Sequence, residues 1–200
     1  MVIDGVADAE NFLAPGTWSG GLHDTDKALS VVLEACVMAG PEICALYEST
    51  THDVHAQLTT IYNNLKRGPL PFHDSTGESY GVLNYKAARS ALLGLLYSPY
   101  ERRGEYPSMK FLNALAEVQK GNGLDLARVT GLAPTRSPFT RTCPDQALPA
   151  LFNGLDAQVA ITCGDAGPRF DTVEDMELEF ARMSEISEFA DVWAISGQCS

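Results

Sequence analysis

Two hundred residues suffice for one domain, or at most two small ones, with a core that does not depend on staples. The apolar share of 45% is that of an ordinary globular chain. A formal net charge of −12, with no basic patch beyond Glu101-Arg102-Arg103, argues against sequence-independent nucleic-acid binding and against docking on an anionic membrane.

In chain order, residues 1–6 read as a short buried strand ending near Gly5. Residues 11–22 read as loop, punctuated by Pro15-Gly16 and Gly20-Gly21. Asp24 or Thr25 can cap a helix over 26–37, which Gly40-Pro41 stops. A short helix at 42–47 follows, then a longer one from Thr51 to Lys66-Arg67-Gly68, a cationic last turn with a glycine stop. Residues 68–81 read as loop. Residues 82–96 carry Leu83, Ala87, Ser90, Ala91, Gly94 and Leu95 at helical spacing, and Ser98-Pro99 ends them. Residues 108–120 make another helix, closed by Gly121-Asn122-Gly123. Residues 131–144, rich in Pro, Thr, Arg and Gly, read as a linker or mobile loop. Residues 145–153 suit a helix, and 157–163 suit helix or strand. Residues 172–189 form an acidic amphipathic helix, with Asp171 as N-cap and Glu174 at capping-box spacing. The pattern is mostly α with one N-terminal strand. Such a strand has no partner for its backbone groups, so the chain reads as part of something larger or as a helical domain that kept an ancestral strand.

Gly77-Glu78-Ser79-Tyr80-Gly81 fits G-x-S-x-G, the nucleophile elbow of α/β-hydrolases. An elbow serine needs a hydrophobic strand before it and a histidine after it. Residues 68–76 hold two prolines and a polar tail, which cannot make a central strand. His23, His52, His55 and His73 all precede Ser79, so the Ser…Asp…His order of that fold cannot be built within this sequence. Ser79 is therefore rejected as a nucleophile and read as a Gly-bounded turn before a helix.

The five cysteines are Cys36, Cys44, Cys143, Cys163 and Cys199. The Gly40-Pro41 turn folds Cys36 back toward Cys44, so a disulfide suits an oxidising compartment; buried thiols are the alternative. No cysteine and histidine spacing suits zinc, and no metal or cofactor is expected. His52 and His55, with Asp53 between them, read as solvated helix surface.

Three stretches stand in a distinctive order: Val2-Ile3-Asp4-Gly5-Val6-Ala7-Asp8 followed by Trp18, Asp24-Thr25-Asp26-Lys27-Ala28-Leu29, and Cys36…Ala39-Gly40…Cys44-Ala45-Leu46. Together they resemble the tripeptidyl-aminopeptidase-like serine peptidases, α/β-hydrolases of the prolyl-aminopeptidase group. Ala87-Ala88-Arg89-Ser90-Ala91-Leu92…Leu96-Tyr97-Ser98-Pro99 and Ala114-Leu115…Gly121-Asn122-Gly123 look like that family's lid. Ala160-Ile161-Thr162-Cys163-Gly164-Asp165, with Trp193 before Cys199, looks like its stretch beyond the lid. The resemblance implies a helical lid or cap at 23–130, a flanking strand and loop at 1–22, a linker at 131–144 and a C-terminal helical segment at 145–200. It implies that the catalytic serine precedes the segment seen here and that the acid and histidine follow it, so no triad member maps onto this sequence. It also suggests Cys36–Cys44 and Cys163–Cys199 as pairs, with Cys143 free. Those pairs would imply secretion, whereas the sequence as written, without a signal-peptide core, reads as cytoplasmic.

Three functions follow as expectations. The chain is the lid and cleft part of a serine aminopeptidase-like hydrolase, not hydrolytic by itself. Alternatively it is a free-standing, lid-derived protein that binds an apolar small molecule and steers a cyclisation or isomerisation; or it is a non-catalytic interaction module. The expected partners are a small apolar molecule or peptide, the remainder of a hydrolase core, or a second copy of the chain. The candidate ligand residues are Asp8, Trp18, His23, Asp24, Tyr97 and Tyr100. Trp18 is a lid plug or a core anchor, and His23-Asp24 an acid–base pair or a helix cap. Asp4 and Asp8 lie where α/β folds place ligands, Asp8 reading otherwise as surface loop; packing is the nearer reading for Tyr97.

Overall fold

A computed structural model describes residues 18–77, 79–100, 107–133, 160, 161, 164 and 172–196. The chain divides into two compact units, Lys27–Arg141 and the two chain ends, Met1–Asp26 with Thr142–Ser200. The fold is mostly helical, as the periodicity predicts, with a single two-stranded sheet among the described residues. The elements are a 3-10 turn at Ser19–Leu22, α1 (Thr25–Ala39), α2 (Thr51–Arg67), β1 (Leu70–His73), β2 (Tyr80–Leu83), α3 (Tyr85–Leu96), α4 (Pro107–Gln119), α5 (Leu124–Val129), α6 (Val173–Ile186) and α7 (Ala190–Ser196). The expected strand at 1–6, the helix at 145–153, the linker beyond residue 133 and most of 157–163 lie outside the described residues.

The larger unit is organised around α4. Phe111, Leu112, Ala114, Leu115, Ala116 and Val118 are all buried, so the helix is enclosed on most of its circumference. It packs on α2, α3 and α5. Helix α2 turns one stripe inward, Val54, Leu58, Ile61, Tyr62 and Leu65, at the spacing that places side chains on one helical face. Each such large side chain contributes roughly 1.5–3 kcal/mol of burial free energy. Thr50 caps α2 by accepting from the Asp53 amide at 3.2 Å while its hydroxyl donates to Asp53 Oδ2 at 2.6 Å. Helix α3 starts at Tyr85 because Asn84 Oδ1 accepts from the Ala87 amide at 2.9 Å.

Three expectations change in this unit. The segment 68–81 is not all loop. Leu70–His73 and Tyr80–Leu83 pair antiparallel, with Phe72 opposite Gly81 and Leu70 opposite Leu83. Each strand of a two-stranded ribbon has a free edge, so Pro71 costs no indispensable ladder bond. A Cβ on Gly81 would sit 2.8 Å from Phe72 Cζ, so glycine makes room for the ring. The helix expected from residue 82 consequently begins after β2. The short helix expected at 42–47 is a pair of turns. The amides of Ile43 and Cys44 both donate to the Gly40 carbonyl, and Gly40 itself has φ of 76°, a left-handed conformation that glycine adopts without penalty.

A disulfide joins Cys36 and Cys44, with Cα atoms 5.3 Å apart and both residues fully buried. It ties the end of α1 to the turns that follow. Closing so short a loop stabilises by about 2–3 kcal/mol in the chain-entropy account. Cys143, Cys163 and Cys199 lie outside the described residues.

In the smaller unit, α6 packs on α7 and on the 3-10 turn. Thr172, not Asp171, caps α6: its Oγ1 accepts from the Asp175 amide at 3.1 Å and its hydroxyl meets Asp175 Oδ2 at 2.8 Å. The capping box is thus set one residue later than expected. The helix ends at Ile186 rather than continuing to 189, because Ser187 is extended and serves the next helix. Its hydroxyl accepts from the Phe189 amide at 3.1 Å. Trp193 packs against Gly21, where a Cβ would lie 3.0 Å from the indole.

Candidate apolar ligand groove

The larger unit carries a groove of about 410 Å³ between α1, the turns after it, and the start of α4. Val31, Val32, Ala35 and Ala39 of α1 form one wall, Ile43 and Pro99-Tyr100 close the sides, and Ser108 and Met109 come from α4. The volume lies in the range of small-molecule sites, which are mostly apolar with few polar groups. Among the described residues, no carboxylate, ammonium, guanidinium or imidazole lines it.

Local structure explains why the groove is apolar. Helix α1 buries Leu29, Val32, Leu33 and Cys36, yet it carries a second apolar stripe that faces outward. Val31 is 46% exposed and Met38 is 87% exposed. A helix apolar on two faces needs a second apolar surface against it, or a ligand. The far wall is held by Asn113 of α4. Its Oδ1 accepts from the Ala45 amide at 2.7 Å, and its Nδ2 donates to the Ile43 carbonyl at 3.0 Å. One side chain thereby pins both ends of the Ile43–Ala45 turn, and the disulfide at Cys44 fixes the same turn to α1.

The candidate residues named from sequence are scattered. Tyr100 lines the groove and is 72% exposed. Tyr97, expected to pack, is instead 69% exposed at the C-terminal end of α3 and does not line it, because Ser98 and Pro99 turn the chain there. Trp18, His23 and Asp24 belong to the smaller unit and form no part of the groove. Trp18 is half-buried with φ of 44°, an uncommon left-handed conformation for a bulky residue; His23 and Asp24 are exposed. Asp8 lies outside the described residues.

Ser79 sits in the wrong setting for an elbow nucleophile. Its carbonyl accepts from the Asp74 amide at 2.8 Å, closing the loop of the β1–β2 hairpin. A strand, β2, follows it, so the expected turn before a helix is corrected to a turn before a strand. An elbow requires a strand before and a helix after the serine, and neither the hairpin loop nor β2 supplies that.

Sequence reading missed the groove floor and most of its walls. The available signal was on α1, where Val31, Ala35 and Met38 recur at helical spacing beside the core stripe. His52 Nδ1 lies 3.5 Å from Asp53 Oδ1 on the open surface of α2, in keeping with a solvated face. The hydrogen bond from Thr50, with a smaller contribution from His52, holds the Asp53 carboxyl below its ordinary pKa. Among the described residues, no group of three or more His, Cys, Asp or Glu is placed to hold a metal, and no helix is long and apolar enough to cross a membrane. Models of known families, curated proteins and solved structures show no match to this chain.

Proposed function

We propose that the chain supplies the lid and cleft-lining part of a serine aminopeptidase-like hydrolase, and that its own contribution is binding rather than bond cleavage. The groove on the larger unit is the observation that carries this reading. Its apolar walls suit a small apolar molecule or an apolar side chain of a peptide, which would lose its water on binding. The resemblance in the segments around Cys36–Cys44 and 87–123 is what points to a hydrolase lid. The placement of Ser79 in a hairpin loop supports leaving the chemistry to groups outside this sequence.

One observation favours a second reading. Every described lining residue belongs to the same compact unit, Lys27–Arg141. A groove walled by one unit can bind a ligand with no hydrolase core beside it, as a free-standing lid-derived protein would. The two readings share the groove and differ in what accompanies it.

Titration with the neutral dye N-phenylnaphthylamine tests the shared part. Saturable binding is expected, and Ala35→Trp, which fills the groove from an exposed helical position, should abolish it while circular dichroism stays unchanged. Absence of saturable binding, or binding indifferent to Ala35→Trp, contradicts both readings. Mixing the chain with the remaining hydrolase segments then separates them: only the lid reading expects recovered aminopeptidase activity.

A further inference from the structure

Three consecutive residues, Ile43, Cys44 and Ala45, strap the two sides of the groove together. Cys44 is bonded to Cys36 of α1, eight positions earlier. On either side of it, the Ile43 carbonyl accepts from Asn113 Nδ2 at 3.0 Å and the Ala45 amide donates to Asn113 Oδ1 at 2.7 Å. Both anchors lie beside the lining. Cys36 stands one turn from Val32 on α1, and Asn113 one turn from Met109 on α4. That i, i+4 spacing stacks side chains on one helical face. Ile43 of the strap lines the groove itself. The bridge and the Asn113 clamp therefore act in series: α1 is held to the strap, and the strap to α4. Reduction of the bridge would cut only the first link. The chain from Cys36 to Cys44 would still run through Gly40, whose φ of 76° marks the permissive point of that loop. Helix α4 would stay packed on α2, α3 and α5, so the α1 wall is the part released.

We infer that the Cys36–Cys44 bridge is a redox latch on this groove. Oxidised, it fixes the spacing of α1 from α4 and holds the walls ready for a ligand; reduced, it frees the α1 wall and ligand affinity falls. This inference rests on the groove being a binding site. The reductant is a dithiol. One of its thiolates attacks a bridge sulfur and expels the other cysteine as a thiolate. Its second thiol then displaces the first cysteine from the mixed disulfide and closes a disulfide of its own. Two electrons and two protons pass to Cys36 and Cys44, which end as thiols. Both cysteines are fully buried, so attack requires the turn to lift away first. A ligand held between the walls opposes that lifting. The coupling is reciprocal: the factor that reduction takes from ligand affinity is the factor by which the ligand favours the oxidised bridge.

Titration of N-phenylnaphthylamine into the full chain, oxidised and after dithiothreitol, tests this. Affinity should fall about tenfold on reduction, as it does when the binding-competent arrangement drops to a tenth of the molecules. Helical circular dichroism should persist. In dithiothreitol redox buffers, read by alkylation of Cys36 and Cys44, saturating dye should make the bridge potential more negative by about 30 mV, the two-electron equivalent of that tenfold. The double variant Cys36→Ala, Cys44→Ala should bind the dye as weakly as the reduced parent. Asn113→Ala cuts the second link, so it should weaken binding to the oxidised protein, and reduction should then cost little more. Equal affinity in the two redox states, a bridge potential indifferent to the dye, or a double variant that binds like the oxidised parent overturns the inference. Losses from Asn113→Ala and reduction that simply sum overturn it as well. So does loss of the helical spectrum on reduction, because the bridge would then hold the whole unit together. If the oxidised parent binds the dye and Ala35→Trp expels it, any of these outcomes leaves the binding reading standing and fells the latch alone. If the dye does not bind the oxidised parent, both fall.

Discussion

The Ser187 hydroxyl donates to Asp26 Oδ1 across 2.6 Å, joining residues 161 positions apart in the chain. The same carboxylate accepts from the Glu188 amide at 3.2 and 3.3 Å, while Thr25 Oγ1 lies 2.7 Å from Ser187 Oγ. Asp26 thus stands in for a cap at the start of α7, although it belongs to the first turn of α1. Replacing it with alanine should cost about 1–2 kcal/mol, the range of a lost helix cap. Ser187→Ala should cost a similar amount, and the double variant clearly less than the sum, since both remove the same bond. Urea denaturation of the three variants measures this; additive losses would mean the two residues act separately.

The Cys36–Cys44 bridge and the Asn113 clamp hold one turn from two sides. Cys36→Ala together with Cys44→Ala should lower stability by about 2–3 kcal/mol. A reducing agent should lower the melting temperature of the parent by more than that of the double variant. A parent melting temperature indifferent to reduction would show that the bridge does not support the fold.

Gly81 is required by the Phe72 ring rather than by backbone conformation. Gly81→Ala should destabilise by about 1–3 kcal/mol, as overpacking does. Phe72→Leu shortens the side chain that a new Cβ would strike, so adding it to Gly81→Ala should recover part of the loss. If the two losses simply sum, the close approach is not what fixes glycine at this position.

The Asp53 carboxyl should titrate below the ordinary carboxylate range, because Thr50 and then His52 bond to its ionised form. Its folded-state pKa is depressed, so the stability it contributes is present above the unfolded pKa and is lost as pH falls through the folded one. Carbon-detected nuclear magnetic resonance of the Asp53 carboxyl reads the midpoint directly. Thr50→Val should move that midpoint upward, and an unmoved midpoint would exclude the Thr50 hydroxyl as the cause.

Ser79→Ala should leave any turnover of activated esters by the chain unchanged, since Ser79 closes a hairpin loop and no histidine follows it in the sequence. Labelling of Ser79 by a serine-directed phosphonate, prevented by the substitution, would contradict this.

Long helices with strong punctuation were readable in advance. Thr51–Arg67 has a threonine cap, a one-sided apolar stripe and a glycine stop, and each signal is local. The hairpin was not readable because its strands are four residues each, too short for alternation to stand out. Gly81 and Pro71 also look like loop residues until Phe72 is seen lying over the glycine. A pair of facing cations and rings was equally hidden. Lys66 Nζ lies 4.2 Å from the Tyr85 ring centre and Arg89 Cζ lies 5.1 Å from that of Tyr62, while the two rings meet edge to face at 5.8 Å. Such contacts between α2 and α3 depend on how the helices cross, which no window of sequence contains. Little of the groove was legible: Tyr100 stands out as an aromatic beside a helix end, but Val31, Ala35 and Ile43 are ordinary apolar residues until the chain turns after α1 bring them to one surface.

The most direct test of the account is the affinity of the chain for N-phenylnaphthylamine, measured by fluorescence for the parent and for Ala35→Trp. The account predicts saturable binding to the parent and its loss in the variant, with helicity and melting temperature preserved. A parent that fails to bind the dye, or a variant that binds it equally well, would contradict the claim that the groove beside α1 is a ligand site.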